Sequence, residues 1–109
     1  MDEADALCRE QGWQKSGHSA KTLVKHQDLR IVLIAMKRET LMPEHQTDGS
    51  ISIHVLSGNL RIRVRRRTFD VPAGYILALD RSLPHDVEAL EDSTFVLSVC
   101  ASAAKRRAR

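Results

Sequence analysis

Three histidines are the side chains best able to do chemistry in this chain: His45, His54 and His85. His45 lies in the run Pro43-Glu44-His45-Gln46-Thr47-Asp48-Gly49, thirteen positions before Gly58, and His85 follows Gly74 by eleven, next to Pro84. An imidazole can ligate a metal, move a proton or hydrogen-bond a small molecule. Two imidazoles alone hold a divalent ion weakly, because catalytic zinc sites need three protein ligands and structural ones four. His54 belongs to a strand-like run, residues 51–57, where Ile51, Ile53 and Val55 share one face and Ser52, His54 and Leu56 share the other. It joins a site on the isoleucine face only through a bulge; otherwise it is a polar residue on an outer or subunit-facing surface. Glu44, Gln46 and Asp48 offer nearby oxygen donors, but no periodicity places them. Other chemistries find no support: Ser57 lies in no nucleophile-elbow pattern, no glycine-rich phosphate loop is present, and no carboxylate pair stands out.

The elements that must position these residues read as short strands. Residues 31–36 are apolar on both faces and rich in β-branched side chains, which suits a central strand buried on both sides. Further strands are expected at 22–26, 51–57, 60–64, 68–72, 75–79, 85–90 and 93–100, with 39–49 as a loop around Pro43 and Gly49. Residues 13–20 read as irregular, and Asp2 caps an expected short helix over 2–10 that Gly12 ends. Short strands punctuated every eight to twelve residues, with little room for helix between them, are the pattern of an all-β sandwich or barrel. The chain divides into a helix and lead-in (1–20), a barrel (21–100) and a basic tail (101–109).

The two histidine segments, taken in order, resemble the two sequence motifs of the cupin superfamily over roughly the C-terminal two-thirds of the chain. The resemblance implies a double-stranded β-helix, or jelly-roll, barrel. Metal-binding cupins use a His-x-His pair, a Glu a few residues on and a His from the second motif. Here His45 and His85 match, Thr47 takes the place of the second His, and Ile51 takes the place of the Glu. The cofactor expectation is therefore no metal, or a weakly bound divalent ion on His45 and His85, with His54 a further candidate. The cavity is expected to place His45, Thr47 and His85 near an apolar wall of Ile51, Ile53 and Val55.

Composition sets further bounds. The 109 residues make one domain, with 42% hydrophobic and 28% charged content, ordinary for a soluble globular chain. No apolar run reaches the length of a membrane span, and the acidic start Met1-Asp2-Glu3 is unlike a signal peptide, so a cytoplasmic location is expected. Net charge is +3, but Lys105, Arg106, Arg107 and Arg109 carry four positive charges, which leaves the body at −1. That tail reads as a dispensable solubilising segment, and no nucleic-acid partner is expected. Arg61, Arg63 and Arg65 read as a stripe on one strand face, continued by Arg66 and Arg67; a solvated outer face is the favoured reading, an anion-binding surface the alternative. Cys8 and Cys100 are expected as free, buried thiols.

These readings lead to a barrel that binds a small molecule of unknown specificity without a full metal centre. The alternative from the enzyme class is a metal-dependent oxygenase or isomerase using His45, His85 and a further ligand; a third reading is a sensor or regulatory module. A homodimer is expected, since outward Leu56 and the doubly apolar residues 31–36 leave apolar surface that one small barrel cannot cover.

Overall fold

The computed structural model describes residues 17–45, 49–80 and 83–100. The expected helix over 2–10, Thr47 and the tail 101–109 lie outside the described residues, as does the side chain of His45. Within them every regular element is a strand: β1 (His18–Lys25), β2 (Leu29–Met36), β3 (Leu41–His45), β4 (Ser50–Ser57), β5 (Asn59–Val64), β6 (Arg67–Pro72), β7 (Ile76–Leu79), β8 (His85–Ala89) and β9 (Ser93–Cys100). None of the described residues forms a helix long and apolar enough to cross a membrane.

The strands form two antiparallel sheets. One has the order β1-β2-β9-β4-β7, the other β3-β8-β5-β6. A single apolar cluster draws on both, with Met36, Ile53, Val55 and Phe95 from the first and Leu60, Ile62, Val87 and Ala89 from the second. The sheets therefore face one another across one core, the jelly-roll arrangement expected from the sequence. Alternation selects the inward residues. On β5, Leu60, Ile62 and Val64 are buried while Arg61 and Arg63 are not. Each fully buried aliphatic or aromatic side chain contributes about 1.5–3 kcal/mol, against at most about 1 kcal/mol for an exposed ion pair, so burial sets the register.

Two expectations about elements need correction. Residues 41–45, expected as loop, form β3, and residues 18–20, expected as irregular, form the start of β1. Pro43 obscures β3 because proline lacks a ladder donor, yet β3 is an edge strand with one unpaired side where proline is tolerated. Cys100 is free, as expected, but exposed rather than buried, because it ends β9 at the rim of the sheet.

Two glycines at strand junctions separate backbone strain from steric fit. Gly58 (φ 86°) joins β4 to β5, and a Cβ there would meet the Ser93 hydroxyl and the Asp92 carbonyl. Ser93 is fixed in place by the Asn59 amide, which donates to its Oγ at 3.0 Å, so this neighbour is not free to yield. Gly74 (φ 90°) has the same handedness and open space around it. Gly74→Ala is expected to cost about 1–2 kcal/mol from the left-handed backbone alone. Gly58→Ala is expected to cost clearly more, measured as the difference between the two variants in urea unfolding.

Candidate functional site

His85 is the site residue that the fold positions most fully. It opens β8, where alternation puts His85, Val87 and Ala89 inward and Asp86 and Glu88 outward. His85 is 2% exposed. Its Nδ1 lies 3.0 Å from the Leu83 carbonyl oxygen, an acceptor only, so Nδ1 carries the hydrogen and donates it. In the neutral ring Nε2 is then the nitrogen with a lone pair, the tautomer that suits accepting a hydrogen bond or ligating an ion.

The backbone brings the two sequence segments together. In the β3–β8 ladder His45 is the direct partner of His85, after a register irregularity between Met42 and His45. Val64 of β5 flanks His85 from the other side. Residues forty positions apart in the chain are thus adjacent in one sheet.

The remaining expected residues lie on β4 in the opposite sheet. Ile51, Ile53 and Val55 are inward and buried, paired with Val99, Leu97 and Phe95 on β9. Ile51 and Ile53 also pair with Leu79 and Leu77 on β7. His54 is half-buried on the other face of β4, between Val96 and Ile76. The structure does not bring it to the His85 side, because no bulge interrupts residues 51–55 of β4. The chemistry of the donor set is unfavourable to a four-ligand cupin centre. At the position of the carboxylate, Ile51 is 4% exposed within the apolar core. Among the described residues no three His, Cys, Asp or Glu side chains converge.

A half-open cavity of about 380 Å³ lies between β6 and β7, the edge strands of the two sheets. Val64, Phe69, Leu77, Leu79 and Leu83 give it an apolar lining, with Arg65, Arg67 and Asp80 at its polar part. It adjoins the His85 region through Val64, the strand partner of His85, and Leu83, whose carbonyl holds the ring. Sequence reading missed these residues. A usable signal was present: Phe69 and Val71 alternate inward on β6, and stepping back two positions reaches Arg67, a charged residue on the same face of the strand.

The expected five-residue arginine stripe divides in two. Arg61 pairs with Asp70 at 3.1 Å, and Arg63 pairs with Asp86 at 2.9 Å and Glu88 at 2.6 Å on the outer face. Hydrogen bonds from Arg63 to Asp86 first, and then to Glu88, raise its pKa above the ordinary arginine value. A raised pKa stabilises the fold below the arginine range and loses that contribution only above it, so this cluster brings no arginine titration near neutral pH. Arg65 does not continue the strand face: β5 ends at Val64, and Arg65 sits in the two-residue turn to β6 with φ 56°.

Comparisons with known proteins agree with this geometry. Among solved structures, a conserved protein of unknown function from Streptococcus pyogenes superposes with a TM-score of 0.76 at 25% identity, covering 81% of this chain and 77% of that one. A cupin superfamily protein from Desulfitobacterium hafniense gives a TM-score of 0.76 at 13% identity, covering 78% of each chain. An RmlC-like cupin from Desulfovibrio desulfuricans gives 0.74 at 20% identity, covering 92% of this chain and 96% of that one. A search of curated protein sequences finds no match. The sequence profile of the AraC-like ligand binding domain matches residues 29–106, from the first residue of β2 past the end of β9. That match spans well over half of the chain and establishes that this chain, with the fold of the cupin structures it superposes on, belongs to the AraC-like ligand binding domain family.

Proposed function

We propose that this barrel binds a small organic molecule at the cavity beside His85 and does so without a full metal centre. The observation that carries the reading is the cavity itself. Its volume of about 380 Å³ falls in the roughly 300–1,000 Å³ range of small-molecule sites, and its lining joins apolar walls to a few polar groups. His85 lies beside that space in the sheet, next to Val64 in the β5–β8 ladder and tied to the Leu83 carbonyl, and Val64 and Leu83 are both lining residues. The further candidates from the sequence are His45, Thr47, Ile51, Ile53 and Val55, of which Ile51 and Ile53 back the cavity through their β7 partners Leu79 and Leu77.

A sensor role is one use of such binding, in keeping with the matching family's description as a ligand binding domain. In this role, occupancy of the cavity changes the population of a bound form, and a partner reads that change. The metal-dependent oxygenase or isomerase reading asks more of these residues. Ile51 stands where the cupin resemblance places the metal-binding Glu, and an isoleucine gives a cation neither charge nor a donor.

Two experiments test these points. Protein purified without chelator is expected to hold well under one equivalent of transition metal by elemental analysis. Thr47→His with Ile51→Glu is expected to raise zinc affinity, read by competition with a chromogenic chelator. A stoichiometric metal in the unmodified protein, lost in His85→Ala, would put the enzyme reading first. We further propose that the outer face around Leu56, Tyr75 and Ile76, which are 47%, 64% and 62% exposed, pairs with a second subunit. Sedimentation equilibrium at micromolar concentration is expected to give the dimer mass, and Ile76→Lys to shift it toward monomer; a monomer for the unmodified chain refutes the pairing.

A further inference from the structure

We propose that the ligand of the β6–β7 cavity is a small carboxylate with an apolar body, its charge taken by Arg65 and Arg67. The proposal deepens the small-molecule reading and rests on it.

The argument begins with the way this chain treats its arginines. On the outer face of the four-stranded sheet each strand arginine has a carboxylate partner: Arg61 has Asp70, and Arg63 has Asp86 and Glu88. At the cavity the pattern stops. Among the described residues, Arg65, Arg67 and Asp80 all line the cavity, yet no ion pair joins either arginine to Asp80. Among the described lining residues, two cationic groups thus stand against one anionic group.

Position makes those two cations unusual. Arg67 pairs with Val64 in the β5–β6 ladder, and Phe69 pairs with Ile62, so Arg67 and Phe69 share one face of β6, with Phe69 half-buried and Arg67 exposed at the cavity mouth. The guanidinium carbon of Arg67 stands 5.8 Å from the centre of the Phe69 ring, a cation–π contact that orients the group without satisfying its N–H donors. Arg65 reaches the cavity from a left-handed backbone (φ 56°), which costs an L-residue about 1–2 kcal/mol relative to the right-handed helical conformation. A glycine would occupy that position without the cost, and the chain has arginine there.

The chemistry of the space then selects the ligand class. A guanidinium binds a carboxylate through paired N–H donors, and such charge-assisted bonds gain strength where water is partly excluded. Phe69, Leu77, Leu79 and Leu83 offer the adjoining wall to hydrocarbon. A fully polar anion would leave that wall unused, and a neutral hydrocarbon would leave the arginines unused. A ligand with both parts uses the whole lining.

The test is isothermal titration calorimetry of the full chain with octanoate and, as the uncharged match, octan-1-ol. Octanoate is expected to bind at least about tenfold more tightly, since a hydrogen bond to a charged group contributes on that scale. Arg67→Ala and Arg65→Gly are each expected to weaken octanoate about fivefold or more and to leave octan-1-ol unchanged. Asp80→Asn is expected to strengthen octanoate by removing the one repelling charge. Arg65→Gly separates binding from folding, because φ 56° suits glycine and the melting temperature is expected to hold or rise. Equal binding of octanoate and octan-1-ol would overturn the carboxylate assignment while leaving a small-molecule barrel in place. Failure of octanoate to bind would also overturn it, with a different ligand then required. So would unchanged octanoate binding in Arg67→Ala accompanied by self-association, which would mark Arg67 as a charge that guards the β6 edge.

Discussion

The pairing of β9 between β2 and β4 is the contact on which the rest of the barrel depends. β9 is the last strand in sequence, yet it lies at the centre of the five-stranded sheet. Its ladder sets Phe95 beside both Ile34 and Val55, and Leu97 beside both Val32 and Ile53. A slip of one residue would turn Phe95, Leu97 and Val99 away from the core and expose Val96 and Ser98 to it. Because the inward residues are buried on both sides of that strand, the slip would cost several side chains' worth of burial, and the register is held accordingly. Local strand preference sets up β2 and β4, but only the end of the chain joins them.

That central register carries through to the site. β4 is held by β9 on one side and holds β7 on the other, so Leu77 and Leu79 inherit their inward direction from Ile53 and Ile51. The second sheet does the same through β5, which holds β8 and His85 on one side and β6 with Phe69 on the other. The cavity lies where these two outward series end, at the edge strands β6 and β7. An edge of a sandwich is the place where two sheets can diverge without breaking a ladder, and it is also where a charged residue can turn inward at moderate cost. Binding space and charged lining thus share one structural cause.

The outer face of the four-stranded sheet has the opposite character. Arg63 bridges Asp86 and Glu88 across the β5–β8 pair, and Arg61 meets Asp70 across β5–β6. Cross-strand charge pairs of this kind add modest stability each, and opposite signs in register also disfavour alternative pairings. They account for the part of the arginine-rich segment that faces solvent and leave Arg65 and Arg67 for the cavity.

Much of this was legible from the amino-acid sequence. Strand alternation in residues 51–57 and 60–64 put Ile51, Ile53, Val55, Leu60, Ile62 and Val64 on one side, and burial follows that division. The alternation is local, two residues per repeat, and needs no knowledge of neighbours. The spacing of His45 to Gly58 and Gly74 to His85 likewise pointed to the jelly roll through its resemblance to cupins. Tertiary structure alone decided that residues 41–45 form a strand, since β3 exists by pairing with β8 and its own sequence, broken by Pro43, carries little strand signal. It alone divided the arginines into paired and cavity-lining sets, because that division depends on which carboxylates lie across the ladder and on where β5 turns. The cavity itself has no local signature. Its size is the distance between two sheet edges, and that distance is set by how the whole core packs.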